Sequence, residues 1–491
     1  MNRACFKLMS IGLPFLLLNQ VVLAQSVIDA GKYGQTSAIA TARSIGFGGA
    51  LGSVGGDFSS LSVNPAGIGI YRSSEFMMTP GLRFSGSKSN YVGAESSDNN
   101  VRFGFNNIGM VFTDAASEKN YDRADWKSSS FGIGLNRTAD FSRTYNYTGR
   151  NTTSSASQYF EGDAYLYPNS TIDDPGTPAF LGYQSYLLSG NNLSLVPYTS
   201  GINQTKTAQE KGGITEMALS GGGNYQDKLM VGATLGITFL NHRVNTSMYE
   251  ETVVPNLVDS FDHFTYRESF RTNGSGVNLK LGAIYRFNDY FRAGVAFHTP
   301  TAYTLTEISN NDITVTSQKY GTNPIFSPEN QYEYRISTPF KAIASATGIL
   351  GKNGFVSVDY EYVGYGGMRY NMDEKDVQDR LNRLMKNTYQ SASNIRAGIE
   401  LRFDQLLLRG GYGFYGSPYK NKTYQSDRND ISFGLGYRFG KTFVDFAVIN
   451  RSFTTNEQPY VLDGSLGYTQ PSMASIKNSY TTGVLTIGWK L

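Results

Sequence analysis

The sequence predicts an all-β transmembrane antiparallel β-barrel of about 14 strands, with a small N-terminal hatch, or plug, inside its lumen. Three observations lead there: period-two alternation from residue 73 to the end, links that alternate between tight turns and long loops, and an unusual composition. Gly (54), Tyr (34) and Phe (30) are abundant, whereas Cys (1), Trp (2) and His (3) are scarce. Glycine enriched together with aromatics suits repeated strands, turns and interfacial rings better than helical cores.

The alternation is plain in several segments. Ile431, Phe433, Leu435, Tyr437 and Phe439 interleave with Ser432, Gly434, Gly436, Arg438 and Gly440. Ile395, Ala397, Ile399, Leu401 and Phe403 interleave with Asn394, Arg396, Gly398, Glu400 and Arg402, and Val231 to Leu240 repeats the pattern. Alternate residues of a strand point to opposite faces, so each segment has one apolar and one polar or glycine-rich face. The charges of Arg396, Glu400, Arg402, Arg409 and Arg438 fall opposite the apolar face, as expected where lipid meets the outside and a polar plug the inside.

Fourteen such segments are expected, at 74–88, 101–113, 127–148, 213–226, 229–250, 261–287, 290–308, 331–350, 354–370, 393–403, 406–416, 430–439, 442–453 and 479–490. Gln226-Asp227-Lys228, Phe287-Asn288-Asp289, Gly351-Lys352-Asn353-Gly354, Asp404-Gln405 and Gly440-Lys441 are tight turns between them. Long links at 149–212, 251–260, 309–330, 371–392, 417–429 and 454–478 alternate with these turns. An even strand count with short turns at one end and long loops at the other is the bacterial outer-membrane pattern. Short turns and both termini are therefore expected on the periplasmic side.

The first residues read as a signal peptide over 1–24. Arg3 and Lys7 precede an apolar run from Ile11 to Leu18, and Val22-Leu23-Ala24 forms a small-residue cleavage site. Cys5 lies within it, so the mature chain is expected to carry no disulfide or thiolate metal site. The hatch is assigned to 25–72 and the barrel to 73–491. Asp57 suits an N-cap, and Pro65 with Gly67 ends the short helix that follows it. Residues 373–387 place Val377, Leu381, Leu384 and Met385 on one helical face, which puts a helix on a long loop. The net charge of +3 gives no electrostatic case for nucleic acid. A mean hydropathy of -0.32 without a long apolar run after the signal argues against membrane helices.

The segment Asp57 to Gly67, with its Asn64-Pro65-Ala66-Gly67 motif, resembles the hatch of the FadL family of long-chain fatty-acid and hydrophobic-compound transporters. Phe291 to Pro300, Thr338-Pro339-Phe340, Val358 to Tyr362, and Arg409 to Pro418 are similar to further family stretches in the same order. The resemblance implies uptake of hydrophobic small molecules by binding inside the barrel and lateral release. It implies a hydrophobic small-molecule ligand, outer-membrane lipid around a single-chain barrel, and a location in the Gram-negative outer membrane. The Tyr-, Ser- and Asn-rich loop at 149–212 departs from the apolar groove expected for a fatty acid, and Leu491 stands where an aromatic is usual.

No enzyme is expected. His242, His263 and His298 are the candidates for a histidine base, and none sits in a metalloprotease or hydrolase motif. No metal or cofactor is expected either. The candidate lumen and ligand-lining residues are His298, Asp359, Glu361, Arg396, Glu400, Arg402 and Arg409, with Asp359 and Glu361 paired to Arg396, Arg402 or Arg409. His298 reads as a hydrogen-bonded lumen residue. Two alternatives stay open: a receptor for haem, with His263 and Tyr266 as its candidates, or for aromatic compounds; or a barrel serving protein secretion or adhesion.

Overall fold

The computed structural model describes residues 20–37, 41–168, 174–253 and 261–491, with side chains from Val27 onward. The strands are β1 (Glu75–Tyr91), β2 (Ala94–Ala115), β3 (Trp126–Asp140), β4 (Arg143–Asn151), β5 (Ile202–Tyr225), β6 (Leu229–Thr252), β7 (Phe261–Arg286), β8 (Phe291–His298), β9 (Ala302–Ser317) and β10 (Gly321–Phe326). They continue as β11 (Asn330–Ser337), β12 (Lys341–Ile349), β13 (Gly354–Val363), β14 (Arg369–Asn371), β15 (Ala392–Phe403), β16 (Leu406–Tyr415), β17 (Arg428–Phe439), β18 (Thr442–Glu457) and β19 (Ala474–Lys490). Neighbouring antiparallel pairs run β1-β2-β3-β5-β6-β7-β8-β12-β13-β15-β16-β17-β18-β19, and β19 pairs back on β1. That closed ring has the expected 14 strands.

The other strands extend the wall. The predicted segments 127–148, 290–308, 331–350 and 354–370 each divide in two, at Phe141-Ser142, Thr299-Pro300-Thr301, Thr338-Pro339-Phe340 and Gly364–Met368. Pro300 and Pro339 have no N–H to give a ladder, so they mark two of these breaks. Two expected links are shorter than the sequence suggested. β1 and β2 meet in a hairpin at Val92-Gly93, and the link at 309–330 is largely the β9–β10 hairpin. The tight turns stand as expected, with positive φ at Gln226, Asp227, Gly351, Asp404 and Gly440.

Alternation explains the wall. On β17, Ile431, Phe433, Leu435, Tyr437 and Phe439 are exposed, whereas Ser432, Gly434 and Gly436 are buried. The same band runs through Phe103 and Phe105 on β2, Leu235 and Phe239 on β6, and Val277 to Tyr285 on β7. An exposed apolar surface this continuous is satisfied by lipid and not by water. Phe76 stacks on Trp489 at 5.9 Å near the short-turn rim, as interfacial aromatics do. Beyond Phe239, β6 runs on to Thr252 with Asn241, Arg243 and Asn245 facing outward, so it stands clear of the band. Among the described residues no helix is long and apolar enough to cross a membrane.

Inside the ring lie α1 (Gln20–Gly34), α2 (Ala42–Gly46), α3 (Ser60–Val63) and a 3-10 turn at Pro65–Ile70. Residues 1–19, most of the expected signal, lie outside the described residues. Thr41 caps α2 by accepting from Ser44 N, and Asn64 caps the 3-10 turn by accepting from Ala66 N. The expected cap, Asp57, instead accepts from Ser59 N and from the Thr41 hydroxyl, tying the two short helices together. At the long-loop end, α4 (Ser157–Leu166) and α5 (Pro178–Gln184) fold over the mouth, and α6 (Lys375–Thr388) buries Val377, Leu381 and Met385. Leu384, expected on that face, is exposed.

Candidate functional site

The plug meets the wall where the wall has no side chains. A Cβ on Gly282 of β7 would lie 1.8 Å from Asn64 Oδ1, and one on Gly232 of β6 would lie 2.3 Å from the Pro65 carbonyl. Asn64 is buried, and its Nδ2 donates to Gly52 O at 2.6 Å and, more weakly, to Val295 O at 3.3 Å. One amide therefore ends α3, starts the 3-10 turn at Pro65, and holds both to β8. Ala66 and Gly67 are buried behind it, and Gly67 N returns to Asn64 O at 2.9 Å.

The polar inner face holds the rest of the plug. Asp359 accepts from Gly52 N (3.0 Å) and the Ser345 hydroxyl (2.6 Å), and Arg396 reaches both Asp359 (3.5 Å) and Glu361 (3.4 Å). Arg409 bridges Glu400 (2.6 Å) and Asp445 (2.7 Å), and Arg43 of α2 joins Glu400 at 3.0 Å. These are buried charges, which persist in low dielectric only when paired. His298 donates from Nε2 to Val63 O at 2.9 Å, so it fixes plug backbone. Arg402 shares their face but sits at the short-turn rim, exposed, donating to Asp404 O. It pairs with neither Asp359 nor Glu361, because β15 carries it past the end of the plug.

Above the plug is an apolar chamber rich in tyrosine, filled by α1. Val27, Ala30 and Tyr33 of α1 pack there against Phe141, Tyr334, Met368, Tyr389 and Met385, with α6 as the roof. Tyr389 donates to Val27 O at 2.9 Å, and a Cβ on Gly31 would lie 2.0 Å from the Tyr389 hydroxyl, so the helix fits tightly. Lys32 pairs with Glu210 at 2.6 Å, and Tyr33 meets His242 Nδ1 at 3.1 Å. Glu307, beyond the lipid-facing band, accepts from Tyr332 (3.0 Å) and Thr272 (3.1 Å), and burial pushes its carboxyl up to about 7. Below the chamber, between the end of α1, α3 and the breaks at Thr299–Thr301 and Thr338-Pro339, is a polar cavity of about 60 Å³. It has room for a few waters, not for an acyl chain.

The wall is also split beside the chamber. β2 pairs with β3 from Asn107–Asn136 to Ala115–Ser128, but over Ala94–Asn106 β2 pairs with β1 alone. On the other side of the seam β4 pairs only with β5. Gly212-Gly213 of β5 make the bend possible: both have positive φ (111° and 154°), and their Cβ atoms would lie 2.1 Å from Asn241 O and 2.2 Å from Ala139 O. Side chains close the seam, among them Arg102 to Asp140 at 3.2 Å and Asn100 to Thr144 at 3.2 Å. Neither Asp140 nor the glycine pair stood out in the sequence. Two adjacent glycines at the expected boundary between the link 149–212 and the strand 213–226 were the available signal.

Two further expectations come out differently. His263 is paired to Asp262 at 3.2 Å, whereas Tyr266 is buried against Phe160 at 5.0 Å, so the two do not converge on one site. The loop at 149–212, polar in sequence, supplies Phe160, Leu181, Leu187 and Leu188 to a buried apolar cluster with Phe261 and Phe264. Tyr165 and Tyr186 face outward, and the buried serines are satisfied by hydrogen bonds, Ser155 to Glu250 and Ser157 to Ser194, which hid the apolar half.

No protein-family model matches the sequence, and no curated protein matches it. Solved structures do. A FadL homologue from Pseudomonas aeruginosa is 12% identical and superposes over 93% of this chain and 99% of its own, with a TM-score of 0.56. The toluene transporter TodX from Pseudomonas putida is 13% identical over 91% of this chain and 97% of its own, at 0.53. The monoaromatic hydrocarbon channel CymD is 11% identical over 91% and 98%, at 0.50. At these identities the likeness is one of fold, and with the lipid-facing band and the plugged 14-strand ring it shows that this chain has the FadL-type outer-membrane β-barrel fold.

Proposed function

We propose that this protein takes hydrophobic small molecules into the cell across the outer membrane, binding them in the tyrosine-rich chamber and releasing them sideways through the seam between β2 and β4, beside the end of β3. The observation that carries this reading is the position of Phe141. It packs on Tyr33 of α1 at 5.9 Å and on His242 at 4.8 Å inside the chamber, while its neighbour Asp140 closes the seam. Displacing α1 therefore empties the chamber and loosens the seam through one backbone step. An apolar solute in a dry chamber keeps contacts that a water-filled pore would deny it, and a lateral route avoids the aqueous plug region. A toluene transporter and a monoaromatic hydrocarbon channel among the neighbouring folds, with the many chamber tyrosines, support aromatic hydrocarbons as well as long-chain amphiphiles. The signal at 1–24, the hatch at 25–72 and a monomeric barrel belong to this reading, as does the absence of catalysis.

Purified protein in phospholipid vesicles tests it, with toluene and oleate as probes. Saturable uptake that depends on the wild-type chamber, and is changed by deleting residues 25–36, supports the reading. Leak that is unsaturable and indifferent to the deletion refutes it.

A further inference from the structure

The outer face of β5, β6 and β7 carries a row of like charges. Lys211 of β5 lies directly opposite Arg243 of β6, Arg243 lies opposite Arg271 of β7, and all three are exposed. Like charges facing one another across a ladder are destabilising, so the row calls for an anion. Among the described residues none of the three is paired with a carboxylate, and Asp312 on the same face is already held by Arg267 at 2.8 Å. The residues two places along each strand are uncharged donors and acceptors: Gln209, Asn241, Asn245, Ser269 and Asn273. Beyond Arg271 the next partner is Ile308 of β9.

Its height is what identifies the anion. On β6 the last exposed apolar side chain is Phe239, four residues before Arg243. That is about 13 Å along the strand, and roughly 10 Å along the axis of a barrel with tilted strands. The headgroup layer on either side of the hydrocarbon is about 5–8 Å deep, and long cationic side chains bend toward it. The row therefore stands at the headgroups on the long-loop side. Neighbouring strands are about 5 Å apart, so it spans roughly 10 Å, wide enough for more than one phosphate. Guanidinium forks match phosphate oxygens, and the surrounding amides and hydroxyls match sugar hydroxyls. A second copy of the chain is a poor occupant, because a two-fold contact would set three cations against three.

We infer that Lys211, Arg243 and Arg271 form a docking site for the phosphorylated headgroup of a glycolipid in the outer leaflet. The phosphates neutralise the row, the polar residues around it meet the sugars, and the acyl chains lie along the apolar band at Phe239 and Val277. The site is on the outer wall, so it is independent of what passes through the barrel.

The experiment measures binding of diphosphoryl lipid A, a phosphorylated glucosamine-disaccharide lipid, to the full chain in detergent micelles by native mass spectrometry. The same lipid without its phosphates is the comparison. Wild type is expected to hold the phosphorylated form at least tenfold more tightly. Lys211→Gln, Arg243→Gln and Arg271→Gln together are expected to abolish that difference, and Arg243→Gln alone to weaken binding at least threefold. Lys228→Gln, Lys352→Gln and Lys441→Gln together remove as many exposed charges at the short-turn rim and are expected to leave binding within twofold. In lipid-free micelles the triple variant of the row should show its heat-modifiable gel shift at the wild-type temperature or above, because opposed like charges are gone. If it does not fold, Arg243→Gln alone decides the matter. Equal binding of the two lipid forms by wild type, or equal losses from the row and the rim variants, overturns the site. So does a wild-type dimer that the row variants convert to monomer, which assigns the face to a second copy of the chain.

Discussion

Asn64→Ala removes the side chain that ties the plug to the wall, and the structure gives the size of the effect. Asn64 is buried, and its amide supplies two good hydrogen bonds: Nδ2 to Gly52 O at 2.6 Å and Ala66 N to Oδ1 at 3.1 Å. The longer contact to Val295 O at 3.3 Å adds little. The substitution leaves a carbonyl and an N–H buried without partners, at about 1–3 kcal/mol each, less whatever water or relaxation recovers. A net cost of roughly 2–4 kcal/mol in holding the plug closed corresponds to about a 30- to 700-fold rise in its open population. The barrel ladders do not involve this side chain, so the loss is local and not a global unfolding. Hydrogen exchange followed by mass spectrometry measures it: amides of residues 42–70 should exchange faster by that factor, while those of β15 to β18 stay unchanged. Protection of 42–70 within twofold of wild type would refute the assignment of Asn64 as the plug's main tie. Uniform acceleration across the barrel would equally show that plug and wall open as one unit.

Other outcomes follow from the same contacts. Gly31→Val puts side-chain atoms where the Tyr389 hydroxyl lies, so α1 should leave its seat; faster proteolysis near residues 27–37 and tighter binding of toluene to the vacated chamber are the readouts. Glu307 has its folded-state carboxyl raised, by burial first and then by nearby Asp29, to about 7. Its contribution to seating α1 is therefore fully present below about pH 4.5 and is lost as pH rises through about 7. Exchange at residues 27–34 should quicken over that window, and Glu307→Gln should flatten the dependence. Arg409→Gln leaves Glu400 and Asp445 buried with too little positive charge and should cost about 3–5 kcal/mol, seen as a lower temperature of the heat-modifiable gel shift. Arg402→Gln, at the exposed rim of the same strand face, should change that temperature little, with an effect within about 0.5 kcal/mol.

Much of the site's raw material was legible and its assembly was not. The alternation around Arg396 and Glu400 assigns both to the inner face by parity alone, and the structure places them there. Parity says nothing of height along the barrel, so Arg402 was grouped with residues that the plug covers although it lies beyond them. The Asn64-Pro65-Ala66 motif was visible, but its partners Gly232 and Gly282 are more than 160 residues away in sequence. The tyrosines of the chamber come from α1, β9, β11, β14, the links around α6 and the link after β16, and no local pattern collects them. The loop at 149–212 misled because its apolar residues are spaced among polar ones that only the folded loop turns outward.

The sequence by itself determined the ring: period-two patterning, glycine turns and loop lengths are local, and a strand with one apolar face has no stable arrangement in a membrane other than closure. Tertiary structure alone decided where that ring is interrupted. The seam between β2 and β4 exists because Gly212-Gly213 allow β5 to bend and keep β4 off the β2 ladder, and Arg83 of β1, Arg102 of β2 and Asp140 at the end of β3 meet there. Such a gap depends on register between distant strands, and register is set by the whole closed ladder and not by any one of its segments.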